Sequence, residues 1–261
     1  MSFQAVYQPL EANQPDQGSI AILPWDSKTF GFNVAEIKPG TGHPPQALKS
    51  QLATWTSKEK VRLVSAAIPC HQADWLQALQ EVGFRLIDTV VIMGFKHLQK
   101  AQLVASPAGV REATAKDLEK LKQIALTGFR VGRYHADLQF PRDLANRRYE
   151  VWVENCFDNP APGTLILVSD HEGEPVGFTI SVFQGEEATC QLTCVHPDFQ
   201  NNVIGYALSV EQTHALKARG VQRTRSRLSV QSVPSIQTNE YLGNSVLGTE
   251  YILHWHVRAA E

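Results

Sequence analysis

The stretch Thr164-Leu-Ile-Leu-Val-Ser-Asp-His-Glu-Gly-Glu-Pro-Val-Gly-Phe-Thr-Ile-Ser-Val182 carries two apolar runs separated by a polar segment with Gly and Pro. That pattern predicts two β-strands joined by a turn. Residues 188–195 supply a third strand, whose apolar pattern ends at Val195 and is broken by His-Pro-Asp. A polar loop follows and leads to Gly205. Over residues 203–217, Ile204, Ala207, Leu208, Glu211 and Ala215 fall at mostly helical spacing, which predicts a long helix. Upstream, residues 110–117 read as a short strand handing over to Thr114. Its hydroxyl can cap a helix with Asp117 three residues on, and Leu118, Leu121, Ile124 and Ala125 give that helix an apolar face.

The periodicity lapses over residues 98–109, where Ser-Pro and Ala-Gly punctuate the chain. This predicts an amino-terminal domain over residues 1–100 and a carboxyl-terminal domain over residues 108–261. The two ends share an echo. Val82-Gly83-Phe84 opens a segment ending at Gly94, Leu242-Gly243-Asn244 opens one ending at His254, and the same 160-residue offset separates Gly83 from Gly243 and Thr89 from Thr249. In each copy an amphipathic helix ends at a glycine and a strand follows, which suggests duplication of a half-domain.

Composition permits such a fold and removes rivals. With 261 residues, 43% of them hydrophobic, and a formal net charge of −2, the chain can bury one large or two small cores. It has no broad electrostatic reason to bind nucleic acid or an anionic membrane. The amino terminus lacks a basic and then apolar leader, and no apolar run reaches membrane-spanning length, so a cytoplasmic protein is expected. Cys70, Cys156, Cys190 and Cys194 are too sparse for a disulfide framework and read as buried thiols. Cys190 and Cys194 share a strand face, but no neighbouring motif completes a tetrahedral set, so no metal is expected. His254 and His256 alternate around Trp255 and read as solvated or hydrogen-bonded strand residues rather than ligands. Arg223, Arg225 and Arg227 alternate along a probable strand and read as an exposed sheet face.

Strand, loop and helix N-terminus in succession bring unpaired backbone N–H groups and the positive end of a helix dipole to one point, which makes residues 192–208 a candidate anion site. The segment resembles the coenzyme-binding signature V-x-P-x-x-[QR]-x-x-G-x-[GA] of the GNAT acyltransferase superfamily. Val195, Pro197, Gln200 and Gly205 fall on the signature, and Val203 stands where its first glycine is expected. The resemblance implies an α/β (α+β) GNAT fold, a mixed and mostly antiparallel sheet flanked by helices, and acetyl-CoA as co-substrate. It assigns the coenzyme to Cys194, Val195, Gln200, Asn201, Asn202, Val203, Ile204, Gly205, Tyr206, Ala207 and Ser232. The backbone N–H of Cys194 or Val195 would polarise the acyl carbonyl.

Three further segments narrow the resemblance. Leu23 to Val34, Gly83 to Thr89, and Phe129 to Phe140 with Tyr149 to Asn155 are similar to the dTDP-fucosamine N-acetyltransferase family. That family implies acetylation of the amine of a nucleotide-linked amino-dideoxy sugar, and a partial GNAT-like half ahead of a complete one. Arg130, Arg133, Tyr134, His135 and Asp137 would then meet the sugar nucleotide, with Asp26 and Ser27 either joining them or capping a turn. In a gapless alignment Ser232 replaces an asparagine, Asn239 replaces the tyrosine that protonates the coenzyme thiolate, and Asn244 replaces a phenylalanine. Two helical residues turn about 200°, so Tyr241 faces away from Asn239 and takes the acid's place only with a two-residue gap. The leading expectation is a small-molecule N-acetyltransferase, with a homodimer left open. The alternatives are a GNAT-derived binding or regulatory protein without turnover, and an enzyme for another small amine or a peptide.

Overall fold

The computed structural model describes residues 5–11, 14–105, 109–200 and 203–257. They form two compact units. One comprises Met1–Val90, Ala136–Phe140 and Thr249–Glu261, and the other Val91–His135 and Pro141–Gly248.

In the first unit β1 (Gln8–Pro9), β2 (Ser19–Ile22), α1 (Pro24–Phe30), β3 (Asn33–Lys38), α2 (Leu48–Lys58), β4 (Val61–Pro69) and α3 (Ala73–Val82) lead into β5 (Arg85–Gly94). β2 and β3 are antiparallel, whereas β3 and β4 are parallel with α2 between them in the chain. β4 is a nearly continuous apolar run, as expected of a strand covered on both faces. Ile37, Leu52, Val64, Ile68, Trp75 and Leu79 are fully buried around it. Trp75 and Leu79 sit one helical turn apart on α3, and the Trp75 indole N–H donates to the Gly42 carbonyl at 2.9 Å.

The second unit contains β6 (Val110–Glu112), α4 (Leu118–Gly128), most of the short helix α5 (Arg133–Ala136), α6 (Arg142–Asp158), β7 (Thr164–His171), β8 (Glu174–Gln184), β9 (Glu187–Val195), α7 (Ile204–Ala218), β10 (Arg223–Ser229) and α8 (Val233–Tyr241). Its strands run in the order β10-β9-β8-β7-β6. The expected hairpin is β7–β8, β9 is the third strand, and α7 is the long helix. Thr114 and Asp117 form the expected capping box, with a single 3₁₀ turn over Ala115–Asp117 before α4 begins. One core packs Leu121, Ile124, Val153, Phe178 and Ile180, and another packs Leu165, Leu167, Leu208 and Leu216. Among the described residues no helix is long and apolar enough to cross a membrane.

Sequence reading divides the chain once, between residues 100 and 108, but the compact units interleave. The last strand, β11 (Ser245–His256), pairs antiparallel with β4 from Glu250↔Pro69 to His256↔Leu63, inside the first unit. Conversely, Phe95, just after β5, exchanges hydrogen bonds with Thr224 of β10 inside the second unit. The two helix-glycine-strand joins that echo each other in sequence have one local geometry. The N–H of Phe84 reaches the Leu79 carbonyl and that of Gly83 the Gln80 carbonyl, while Asn244 reaches Asn239 and Gly243 reaches Glu240. Both are Schellman endings, and they require the left-handed backbone that Gly83 (φ 121°) and Gly243 (φ 87°) supply.

Candidate functional site

The site in the second unit begins with a strand that is forced apart from its neighbour. β9 pairs with β8 along its length, but between Leu192 and Cys190 the register slips and Gln191 is left as an extra residue. Such a bulge bends a strand and strengthens its twist. On the other side β9 runs parallel to β10 from Glu187↔Arg223 to Cys190↔Ser226, where the pairing ends. Residues 191–195 and 227–229 continue beyond that point. The two parallel strands therefore part beside backbone groups that a ladder would otherwise occupy.

At the far end of β9 the chain turns through His196 and the 3₁₀ turn Pro197–Phe199 to Gln200, then re-enters at Val203 and starts α7. The first helical hydrogen bond runs from the Ala207 N–H to the Val203 carbonyl at 2.8 Å. The N–H groups of Ile204, Gly205 and Tyr206 precede it, and the N-cap residue is a valine, which has no side-chain acceptor to offer them. Among the described residues no side chain caps this helix of 15 residues, and its N-terminus points along the loop. Val203 is 76% exposed and has φ −70°, an ordinary conformation for a β-branched residue. The valine in the glycine position is unstrained.

Two glycines bring the surrounding elements close. A Cβ on Gly177 of β8 would stand 3.1 Å from Ile204 Cγ2 and 3.2 Å from Leu208 Cδ1, so its absence lets α7 lie directly on the sheet. A Cβ on Gly128, where α4 ends, would stand 2.4 Å from Cys194 Sγ and 2.9 Å from the Val195 carbonyl oxygen. The Gln200 amide closes the corner by donating to the carbonyls of Val195 at 3.0 Å and Gly128 at 3.3 Å. Expected as a coenzyme contact, the Gln200 side chain instead braces the loop against α4. Cys194 is a buried thiol, as read from the sequence. Burial pushes it up to about 12, and the Val195 N–H directed at its sulfur only partly offsets this. Asn201 and Asn202 lie outside the described residues.

On α8, Ser232 occupies the N-cap and its hydroxyl meets that of Ser235 at 2.8 Å. Asn239 is half-buried and turns its amide back to the Ser235 carbonyl at 2.9 Å. Tyr241 is 71% exposed, on another side of the helix as the 200° turn requires, and its ring packs edge-on against Tyr206 with centroids 5.6 Å apart. Tyr241 therefore stands beside Tyr206 of the first turn of α7.

The expected acceptor cluster is divided. Arg130 is exposed. Tyr134 is 2% exposed and lies between the Arg133 and Arg148 guanidinium groups at 4.9 and 5.3 Å, so its ring is part of the packing and offers no free face to a base. His135 meets Asn146 at 2.8 Å and stacks on Tyr149, whose other neighbours are Phe129 and Trp152. Burial depresses the pKa of His135. Asp137 belongs to the first unit and is bound to His254 and His256, which are hydrogen-bonded strand residues. Expected as an amine ligand, its carboxylate is committed to these two rings. Ser27 caps a turn, accepting from the Val34 N–H at 2.9 Å, and Asp26 is buried at the start of α1. Lys217 and Arg219 are held by the Ala101 carbonyl and Glu112, and Arg223 and Arg225 line an exposed face beside Glu187 and Thr189.

Sequence reading missed one polar chain. Gln212 lies in the buried face of α7 between Leu208 and Leu216 and donates to Thr179 Oγ1 at 2.5 Å. The Thr179 hydroxyl in turn meets that of Thr193 at 3.0 Å, an exposed residue of β9 just past the bulge. A glutamine interrupting an apolar stripe was the available signal.

A bulged strand, a parting parallel neighbour and an uncapped helix after the loop belong to the GNAT N-acetyltransferase fold, and solved structures agree. A GCN5-related N-acetyltransferase from Sphaerobacter thermophilus superposes with TM-score 0.65 at 13% identity, over 94% of this chain and 78% of that one. A tandem GNAT protein from the clavulanic acid biosynthesis pathway superposes with TM-score 0.61 at 13% identity, over 94% and 80%. No family model matches the chain. The spore coat polysaccharide biosynthesis protein SpsD of Bacillus subtilis (strain 168) is 26% identical over 141 residues, 53% of this chain. That match spans about half of the curated relative, 47% of its length.

Proposed function

We propose that this protein transfers the acetyl group of acetyl-CoA to the amine of a nucleotide-linked amino sugar. The observation that supports the reading is the parting of β9 from β10 in the unit where α7 starts on a valine N-cap without a side-chain acceptor. The N–H groups of Ile204, Gly205 and Tyr206 would hold the coenzyme pyrophosphate, and the gap between strands would take the pantetheine arm. The bound coenzyme supplies a thioester. The acceptor nitrogen attacks its carbonyl carbon as a neutral amine and forms the C–N bond. The C–S bond breaks, the departing thiolate takes up a proton, and the nitrogen loses one. This chain's part is to hold the carbonyl against the N–H of Cys194 or Val195 and to keep amine and thioester in line. The relative's role in polysaccharide biosynthesis supports a sugar acceptor, and Arg130 and Arg133 have the fork geometry that suits its phosphates.

Asn239 favours a second reading. Its amide is tied to its own helix and is no proton donor to a thiolate at neutral pH, so a GNAT-derived protein that binds without turnover fits as well, unless Tyr241 serves. Incubating the protein with acetyl-CoA and a panel of nucleotide-linked amino sugars, polyamines and peptides, and weighing the products by mass spectrometry, tests both. An acetylated sugar nucleotide supports the transferase. Binding of both ligands without product supports the second reading, and acetylated polyamine or peptide alone overturns the acceptor class.

A further inference from the structure

Outside the GNAT site, one cluster converges on a single point. His254 and His256 lie two residues apart on β11, opposite Ser65 and Leu63 of β4, and therefore project from the same face of the strand. Asp137 lies between them in space although it is 117 and 119 residues away in sequence. Its Oδ2 is 2.7 Å from His254 Nδ1 and 2.7 Å from His256 Nε2, while its Oδ1 accepts the Gln139 N–H at 3.0 Å. The side chains of Asp137 and His254 are 3% and 0% exposed, and that of His256 is 30% exposed. All three belong to the first unit, and their two nitrogens and one oxygen lie within 4.8 Å of one another.

We propose that Asp137, His254 and His256 bind one divalent transition-metal ion of the Zn²⁺ class, with a fourth position open on the side of His256. Two imidazole nitrogens and one carboxylate oxygen are the donor set of three-ligand zinc sites, and a mixed nitrogen and oxygen set discriminates against Mg²⁺ and Ca²⁺, which favour oxygen alone. Zinc takes such ligands at about 2.0–2.2 Å, which places tetrahedral neighbours about 3.4 Å apart. Side-chain rotations that lengthen the two 2.7 Å contacts by about 0.7 Å are enough to admit the ion. A buried carboxylate facing two buried or half-buried rings is costly to desolvate without a full positive charge, and the ion supplies that charge. The Gln139 N–H holds the other carboxylate oxygen and leaves Oδ2 as the ligand. The ion then ties residues 136–140 to β11, so its binding stabilises the fold.

Untagged full-length protein, stripped with a chelator, is titrated calorimetrically with Zn²⁺ and spectroscopically with Co²⁺. The expected result is one equivalent bound, a rise in Tm with Zn²⁺ that chelator reverses, and visible Co²⁺ absorption of a low-coordinate site. His256→Gln and Asp137→Asn should each weaken Zn²⁺ at least tenfold, while His43→Gln, at an exposed pair with Asp74, should leave it unchanged. Because His256 is partly exposed, its variant keeps the fold and decides the matter if Asp137→Asn does not fold. No stoichiometric uptake by the wild type, or uptake unchanged in His256→Gln, overturns the proposal.

Discussion

Replacing Gly177 with alanine should loosen the proposed coenzyme end of the fold while leaving its strands in place. Gly177 of β8 lies opposite Val195 of β9, and the new methyl would stand 3.1 Å from the Cys194 carbonyl oxygen, 3.1 Å from Ile204 Cγ2 and 3.2 Å from Leu208 Cδ1. Comfortable carbon contacts begin at about 3.5 Å, so α7 has to back away by a few tenths of an ångström. Overpacking of this kind costs about 1–3 kcal/mol. For a domain of this size each kcal/mol lowers Tm by about 2–4 °C. The displacement is greatest at Ile204, the first residue of α7, where the first-turn N–H groups lie. Losing about 1.4 kcal/mol of pyrophosphate binding weakens acetyl-CoA about tenfold. Thermal denaturation and calorimetric titration read both effects. Gly248→Ala is the control, because its methyl meets Ile92 Cδ1 at an ordinary 3.8 Å. A Gly177→Ala protein with unchanged Tm and unchanged affinity for acetyl-CoA would refute the close approach of α7 to β8 and its link to the coenzyme.

Three other outcomes are expected. The Asp117 carboxyl is held down at about 2, chiefly by Arg111, against an ordinary 3.8; its contribution to stability is present above pH 3.8 and is lost as the pH falls through about 2. Since the Arg111 side chain is 40% exposed, that contribution is about 1 kcal/mol. Arg111→Leu should remove it at neutral pH and flatten the acid limb of the denaturation profile, and an unaltered limb would contradict the pairing. If Asn239 holds the position of the missing acid, Asn239→Tyr raises the acetyl-transfer rate and Tyr241→Phe changes it little, whereas a large loss in folded Tyr241→Phe shows that Tyr241 acts. Because Tyr134 is buried beside two arginines, Tyr134→Ala should cost about 3–5 kcal/mol of stability and so lower Tm whether or not a sugar nucleotide is present, while Arg130→Ala should change only the protection that the sugar nucleotide gives.

How much of this was legible in the chain depends on the range of the interaction involved. The β7–β8 hairpin, the strand up to Val195 and the faces of α4 and α7 follow local periodicity, and Thr114 with Asp117 is a four-residue signature. The pairing of β11 with β4 was not visible, because nothing in an apolar run says which strand edge it will join. Side chains with more than one use were the hardest to place. Gln200 has the position of a ligand in the signature, but its amide reaches two carbonyls left over where β9 and α4 end. Tyr134 looked available beside arginines that in fact enclose it. Asp137 stands two residues after His135 in the chain but bonds to histidines on the last strand.

The most direct test of the coenzyme site is a calorimetric titration of the full chain with acetyl-CoA, repeated with dephosphorylated pantetheine lacking the pyrophosphate. If the first-turn N–H groups of Ile204, Gly205 and Tyr206 form the anion cradle, acetyl-CoA binds with one-to-one stoichiometry and the truncated molecule binds at least tenfold more weakly. No heat with acetyl-CoA, or equal affinity for the two, would contradict the assignment of this helix start to the coenzyme.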